Sequence, residues 1–133
     1  MFSKACEYAI KIMIYLAEAE QANRRTGLHE ITKAVKSPEA FTAKILQQLV
    51  KYRLLSSFKG PSGGYQLIKD KQVILIDIVK AVDGDKLLEE CVLGFDVCSG
   101  ENPCPVHHRF VGIRDQLKDT LLSFEIGDKN LLG

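Results

Sequence analysis

No apolar run in these 133 residues is long enough to cross a bilayer. The opening Met1-Phe2-Ser3-Lys4-Ala5 runs into Glu7 and Lys11, where a secretory signal needs unbroken apolar residues, so a cytoplasmic protein is expected. The sequence also lacks a P-loop, a dinucleotide-binding glycine motif and a nucleophile elbow, which argues against an enzyme. Cys104 with His107 could imitate a nucleophile and base, but nothing in the sequence suggests the pocket and oxyanion site they would need. Paired C-x2-C knuckles of the structural-zinc kind are absent. Net charge is low, at +1, while 46% hydrophobic and 26% charged residues exclude a disordered chain. The length suits one domain, or one domain with an arm, and can bury a core without disulfides.

The low net charge hides an uneven distribution. Residues 1–72 carry 12 basic against 6 acidic side chains, and residues 73–133 carry 6 against 11. A basic half joined to an acidic half is expected where only the first meets a polyanion.

The first helix is expected from Lys4 to about Ala19, capped by Ser3, with Ala5, Ala9, Ile12, Leu16 and Ala19 as its apolar stripe. Cys6 reads as a small buried residue on that helix. After a polar loop, a short helix from about His29 to Val35 turns Leu28, Ile31 and Val35 inward. Ser37-Pro38 then signals a new helix start, with serine as cap and proline at the first position. That third helix extends to about Tyr52, buries Phe41, Ile45, Leu46, Leu49 and Val50, and leaves a face of Ala40, Ala43, Lys44, Gln47 and Lys51. A short helix, a tight turn and a longer helix with a polar outer face form the helix-turn-helix pattern. The runs Leu54–Lys59 and Tyr65–Ile68 flank Gly60-Pro61-Ser62-Gly63-Gly64 and read as a β-hairpin, which behind a helix-turn-helix is a wing. A further helix lies within Val73–Val82, closed by Asp83-Gly84.

The last helix is expected from near Pro105 to about Phe124. Val106, Phe110, Ile113, Leu117, Leu121 and Phe124 recur at three- and four-residue steps, the spacing of helices that pack lengthwise on a partner. The same stripe could instead cover the helix's own domain; dimerisation is the favoured reading. The fold class is therefore mainly α with a small hairpin wing. It divides into a winged helix-turn-helix domain (1–83), a cysteine-containing loop (84–104), and a dimerisation helix with its tail (105–133).

Cys91, Cys98 and Cys104 fall within fourteen residues, with gaps of six and five, in a segment loosened by Gly94, Gly100 and Pro103. In a reducing compartment such a cluster points to a metal or redox site rather than a disulfide framework. Thiolates are the usual donors to iron–sulfur clusters. Zinc and a cluster-free thiol switch remain open alternatives.

These features in this order resemble the Rrf family of bacterial transcriptional regulators. The resemblance is carried by Ser3-Lys4-Ala5-Cys6-Glu7-Tyr8-Ala9, Ala43-Lys44-Ile45-Leu46-Gln47-Gln48-Leu49, Lys59-Gly60-Pro61-Ser62-Gly63-Gly64-Tyr65 and Cys91…Cys98…Cys104-Pro105-Val106-His107. The chain departs from the family pattern at Lys59, where many members have arginine. It also has Lys36 where glycine or asparagine is common, and one extra residue in the first cysteine gap. The resemblance implies a homodimer on double-stranded DNA with a roughly palindromic site. It further implies a cluster, two-iron or four-iron, on the three cysteines with His107 as fourth donor; an acidic residue such as Glu7 of a partner subunit is the other option. The expected DNA contacts are Ser37, Glu39, Ala40, Thr42, Ala43, Lys44 and Gln47 on the recognition helix, and Lys59, Pro61, Ser62 and Gly63 on the wing. A winged helix that binds protein instead is disfavoured by Lys44, Gln47, Lys51 and the basic half.

Overall fold

A computed structural model describes residues 2–21, 24–96 and 98–127. Helix α1 (Lys4–Gln21) begins as expected, with Ser3 Oγ accepting the Cys6 N–H at 3.0 Å. That bond satisfies one donor the first helical turn leaves open. The buried stripe is wider than the spacing implied: Met13 and Ala17 join Ala9, Ile12, Leu16 and Ala19, Cys6 is buried as expected, and Ala5 is half-buried. The reason is that α1 packs against α2 (Leu28–Val35) and α3 (Glu39–Lys51) and also against α4 (Leu75–Asp83).

The turn between α2 and α3 differs from expectation. Lys36 closes α2 in the left-handed region (φ 54, ψ 52), its N–H bonded to the Thr32 carbonyl. The residue capping α3 is Pro38, extended at φ −60 and ψ 136, and the helix starts at Glu39. Ser37 has turned inward and is only 6% exposed; it shares a hydrogen bond with the Thr42 hydroxyl, which also donates to the Pro38 carbonyl at 2.7 Å. Two buried hydroxyls satisfy one another here, so Ser37 does not cap the helix.

The wing pairs β1 (Leu55–Phe58) with β2 (Gly64–Leu67), from Leu55 opposite Leu67 to Phe58 opposite Gly64. Leu55 and Leu67 anchor it in the core. The loop before α2 adds a third edge, because Thr26 and Tyr65 exchange N–H···O bonds of 3.0 and 2.8 Å. Helix α4 starts with the Asp77 carboxylate accepting the Ile74 N–H at 3.0 Å and ends at Gly84, whose φ is 70. A single turn, α5 (Lys86–Glu89), follows in the stretch expected to be irregular; buried Leu88 anchors it.

Helix α6 (His107–Ser123) splits the expected apolar seam in two. Leu121 is 3% exposed and packs with Cys6, Ile76, Val79 and Leu88 of its own chain, with Leu117 against the same group. Leu121 therefore offers nothing to a partner, which corrects its place in a dimer seam. Ile113 is 52% exposed, while Val106, Phe110, Leu117 and Phe124 are half-buried. Beyond α6 the chain returns to the start of α4. The Phe124 carbonyl accepts the Leu75 N–H at 3.0 Å, and Ile126 donates to Val73 at 2.7 Å and is buried in the main core. The first four helices and the hairpin thus do not close the core unaided. The tail from 128 to 133 lies outside the described residues.

Candidate DNA-reading face and thiol centre

Helix α3 presents Glu39, Ala40, Lys44, Gln47 and Lys51 to solvent, with Ala43 half-buried between them. Thr42 is 0% exposed, and its hydroxyl is committed to Ser37 and Pro38. Neither Thr42 nor Ser37 can reach a phosphate or base, which corrects two expected contacts. Residue 42 falls on the core side because it precedes Ile45, Leu46 and Leu49 by helical steps of three, four and seven. Glu39 lies 3.8 Å from His29 Nδ1. Beside the polar face, a groove of about 430 Å³ is lined by Ala5 of α1 and by Phe41, Lys44, Gln47, Gln48 and Lys51 of α3.

At the wing tip Lys59, Pro61 and Ser62 are exposed. Gly63 has a structural duty: its N–H donates to the Gly60 carbonyl at 2.9 Å, and a Cβ there would sit 2.2 Å from the Phe58 oxygen. The hairpin closes only if that position has no side chain.

Three cysteines outside that face converge. The Sγ atoms of Cys91, Cys98 and Cys104 all lie within 4.8 Å of one another. Cys91 follows α5, Cys104 precedes α6, and the intervening loop turns at Gly94 (φ 80), whose N–H bonds to the Cys91 carbonyl at 3.0 Å. His107, the first residue of α6, brings Nδ1 to 3.3 Å from Cys98 Sγ. Among the described residues the mutually close set holds the thiols alone; Glu7 lies outside it and pairs with Lys4 at 3.5 Å. Arg114 of α6 donates to the Glu89 and Glu90 carbonyls at 3.4 and 2.7 Å, tying that helix to the backbone just ahead of Cys91. Sequence reasoning missed this link, for a surface-type arginine carries no sign of its distant partner.

Desolvation acts to raise the Cys91 thiol, but the backbone N–H groups of Phe95 and Leu93 and the neighbouring thiols bring it down to about 7. For Cys98, the Cys104 N–H favours the thiolate, yet desolvation and the two neighbouring sulfurs leave it raised. A readily ionised Cys91 beside a Cys98 whose thiol is held up suits a site whose ligands lose protons as metal binds. Soft sulfur donors with an adjacent imidazole fit zinc, iron or an iron–sulfur cluster. Cys6 differs: buried in the core, its thiol is pushed up to about 12 by desolvation and by Asp83 and Glu7.

The chain matches the Rrf2 family, described as iron-dependent transcriptional regulators, over residues 2–128. A protein of Aquifex aeolicus assigned to the HTH-type transcriptional regulators is 34% identical over 131 residues, covering 96% of this chain and 90% of that one. The HTH-type transcriptional regulator IscR of Escherichia coli is 28% identical, covering 91% of this chain and 74% of its own length. The fold is that of CymR, the global cysteine regulator of B. subtilis, with a TM-score of 0.78, 24% identity and coverage of 100% and 98%. IscR of T. potens superposes with a TM-score of 0.71 at 21% identity, covering 96% of this chain and 84% of that one. No described helix is long and apolar enough to cross a membrane. The chain thus belongs to the Rrf2 family: it is a winged-helix transcriptional regulator and not an enzyme.

Proposed function

We propose that this regulator binds double-stranded DNA as a homodimer at a roughly two-fold symmetric site, and that its three loop cysteines hold an iron–sulfur cluster. The observation that carries the DNA reading is the exposed row Ala40, Lys44, Gln47 and Lys51 on α3, with Lys59 exposed on the adjoining wing. A helix of this kind fits the major groove, where Gln47 can bond adenine and Lys44 can reach guanine or a phosphate. Ala43 offers a methyl group for a thymine methyl. The exposed Ile113 of α6 supports a partner-covered surface at the N-terminal part of that helix. The test is the double variant Lys44→Ala plus Lys59→Ala. It should weaken binding to any duplex and flatten the dependence of log affinity on log salt by about 0.9 for each phosphate that is no longer neutralised. Unchanged affinity and slope would remove both residues from the interface.

The cluster would be held by Cys91, Cys98 and Cys104, with His107 as the adjacent fourth donor, and would supply a redox-active iron group. Arg114 ties the Cys91 segment to α6, so movement in the thiol loop is mechanically linked to the helix proposed to carry the dimer. That linkage would alter the spacing of two recognition helices. A second reading, one zinc or iron ion or a thiol switch, is favoured by the mutual approach of the sulfurs. Thiolates around one tetrahedral ion crowd together, whereas thiolates on different irons of a cluster stand further apart. Anaerobic purification with iron, zinc and acid-labile sulfide measured per chain separates the two. Brown protein that loses colour in Cys98→Ala supports the cluster. Colourless protein with one zinc, or with no metal after reconstitution, supports the second reading.

A further inference from the structure

The wing's own basic residue is Lys59, and the structure brings an arginine to the wing from elsewhere in the chain. Thr26 bridges Tyr65, so one residue on, Gly27 stands opposite Gly64, and Gly64 stands opposite Phe58. Phe58 therefore shares its cross-strand row with two glycines, neither of which has a side chain to cover its ring. Arg25 is two residues from Gly27, on the same sheet face by strand alternation, and its guanidinium carbon lies 3.6 Å from the centroid of the Phe58 ring. The close approach of this edge depends on Gly64, where a Cβ would fall 2.7 Å from the Thr26 oxygen.

Arg25 remains exposed, and among the described residues the ion pairs Lys4–Glu7, Arg24–Glu30 and His29–Glu39 do not include it. Its neighbour Arg24 behaves differently, gripped by both oxygens of Glu30 at 3.0 and 2.8 Å. One arginine of the pair is thus neutralised, and the other is carried on an aromatic platform whose next residue is Lys59. Stacking on a ring restrains a guanidinium without satisfying its hydrogen-bond donors. A guanidinium is also less strongly hydrated than an ammonium, so it enters a narrow minor groove at smaller desolvation cost.

We propose that Arg25, carried on Phe58, is a second minor-groove contact beside Lys59 and confers a preference for A·T-rich DNA under the wing. The proposal rests on the DNA-binding reading given above. To test it, the full-length wild-type protein selects a duplex from a randomised pool, and a footprint locates the segment under the wing. That segment is then remade with either A·T or G·C pairs. Wild type should bind the A·T form roughly tenfold tighter, and Arg25→Ala should bind both forms alike. Arg25→Lys should retain the salt slope but lose most of the preference. Phe58→Leu, which keeps Arg25 and removes the ring, should lose part of it. Lys44→Ala, in contrast, should weaken both forms equally. Circular dichroism and thermal melting confirm that each variant is folded. If Arg25→Ala keeps the wild-type preference, or wild type shows none, the proposal is overturned while DNA binding stands. Failure of the wild type to select any duplex overturns both.

Discussion

Cys6 allows a sharp test of how its helix is packed. It sits fully buried among Ile76, Val79, Leu88 and Leu121, and its thiol is held up to about 12 against an ordinary value of 9.0. Desolvation is the main cause, followed by the charges of Asp83 and Glu7. The neutral thiol is therefore the folded form. Below pH 9 both folded and unfolded chains keep the proton, and this group gives no pH dependence. Between pH 9 and 12 the unfolded chain releases it and the folded chain does not, so stability falls as pH rises. Each pH unit in that window is worth about 1.4 kcal/mol, which makes the loss about 2 kcal/mol near pH 10.5. Cys6→Ala should be less stable by about 1 kcal/mol at neutral pH, through poorer packing, and should lack this alkaline dependence. The two stability curves should accordingly converge and cross above pH 9. The assay is urea unfolding of both proteins under reducing conditions in small pH steps. Tyrosines and lysines titrate alike in the two, so their contributions cancel in the difference. Parallel curves from pH 8 to 11 would refute the buried, protonated thiol.

Three further outcomes follow from particular contacts. Gly64→Ala should cost about 3 kcal/mol in urea unfolding, because φ is +138 and the new Cβ meets the Thr26 backbone at 2.7 Å. Gly60→Ala, at φ +95 with open space around it, should cost only about 1 kcal/mol, and equal costs would deny the Thr26 edge. Lys36→Gly should raise stability by about 1 kcal/mol, since Lys36 closes α2 in a left-handed conformation that glycine adopts freely. A lowered unfolding midpoint would count against that turn. Leu121→Ala should lower stability by about 2–5 kcal/mol through a core cavity, whereas Ile113→Asp should leave the chain folded and shift sedimentation of the proposed dimer toward monomer. Dissociation by the first and not the second would place the dimer contact elsewhere.

Apart from the single turn α5, the elements and their order were legible from the residues alone. Period-3.6 stripes marked α1, α3 and α6, Ser3 marked a cap, and the glycine-rich turn between short β-prone runs marked the wing. These are local signals: a helix face or a turn depends on residues a few positions apart. Cys6 was legible from its residue type, a lone cysteine on a helix being most often a small buried apolar residue. The cysteine trio was legible as a cluster because its members lie close along the chain.

Other features rest on contacts that form only in the folded chain. Ser37 followed by proline looks like a cap, yet Thr42 offers its hydroxyl a buried partner, and that exchange removes both residues from the reading face. The seam of α6 looks continuous, but the pocket left by Cys6, Ile76, Val79 and Leu88 claims Leu121 and leaves Ile113 outside. Arg25 sits in a polar loop with no motif, and only the pairing of Thr26 with Tyr65 carries it to Phe58. The His107 ring meets the Cys98 sulfur, nine residues away, through the fold of the loop that precedes α6. At Ser37 a local capping preference of about 1 kcal/mol is outweighed by a buried hydrogen bond, and at Leu121 and Arg25 the outcome is set by elements that meet only in the folded chain.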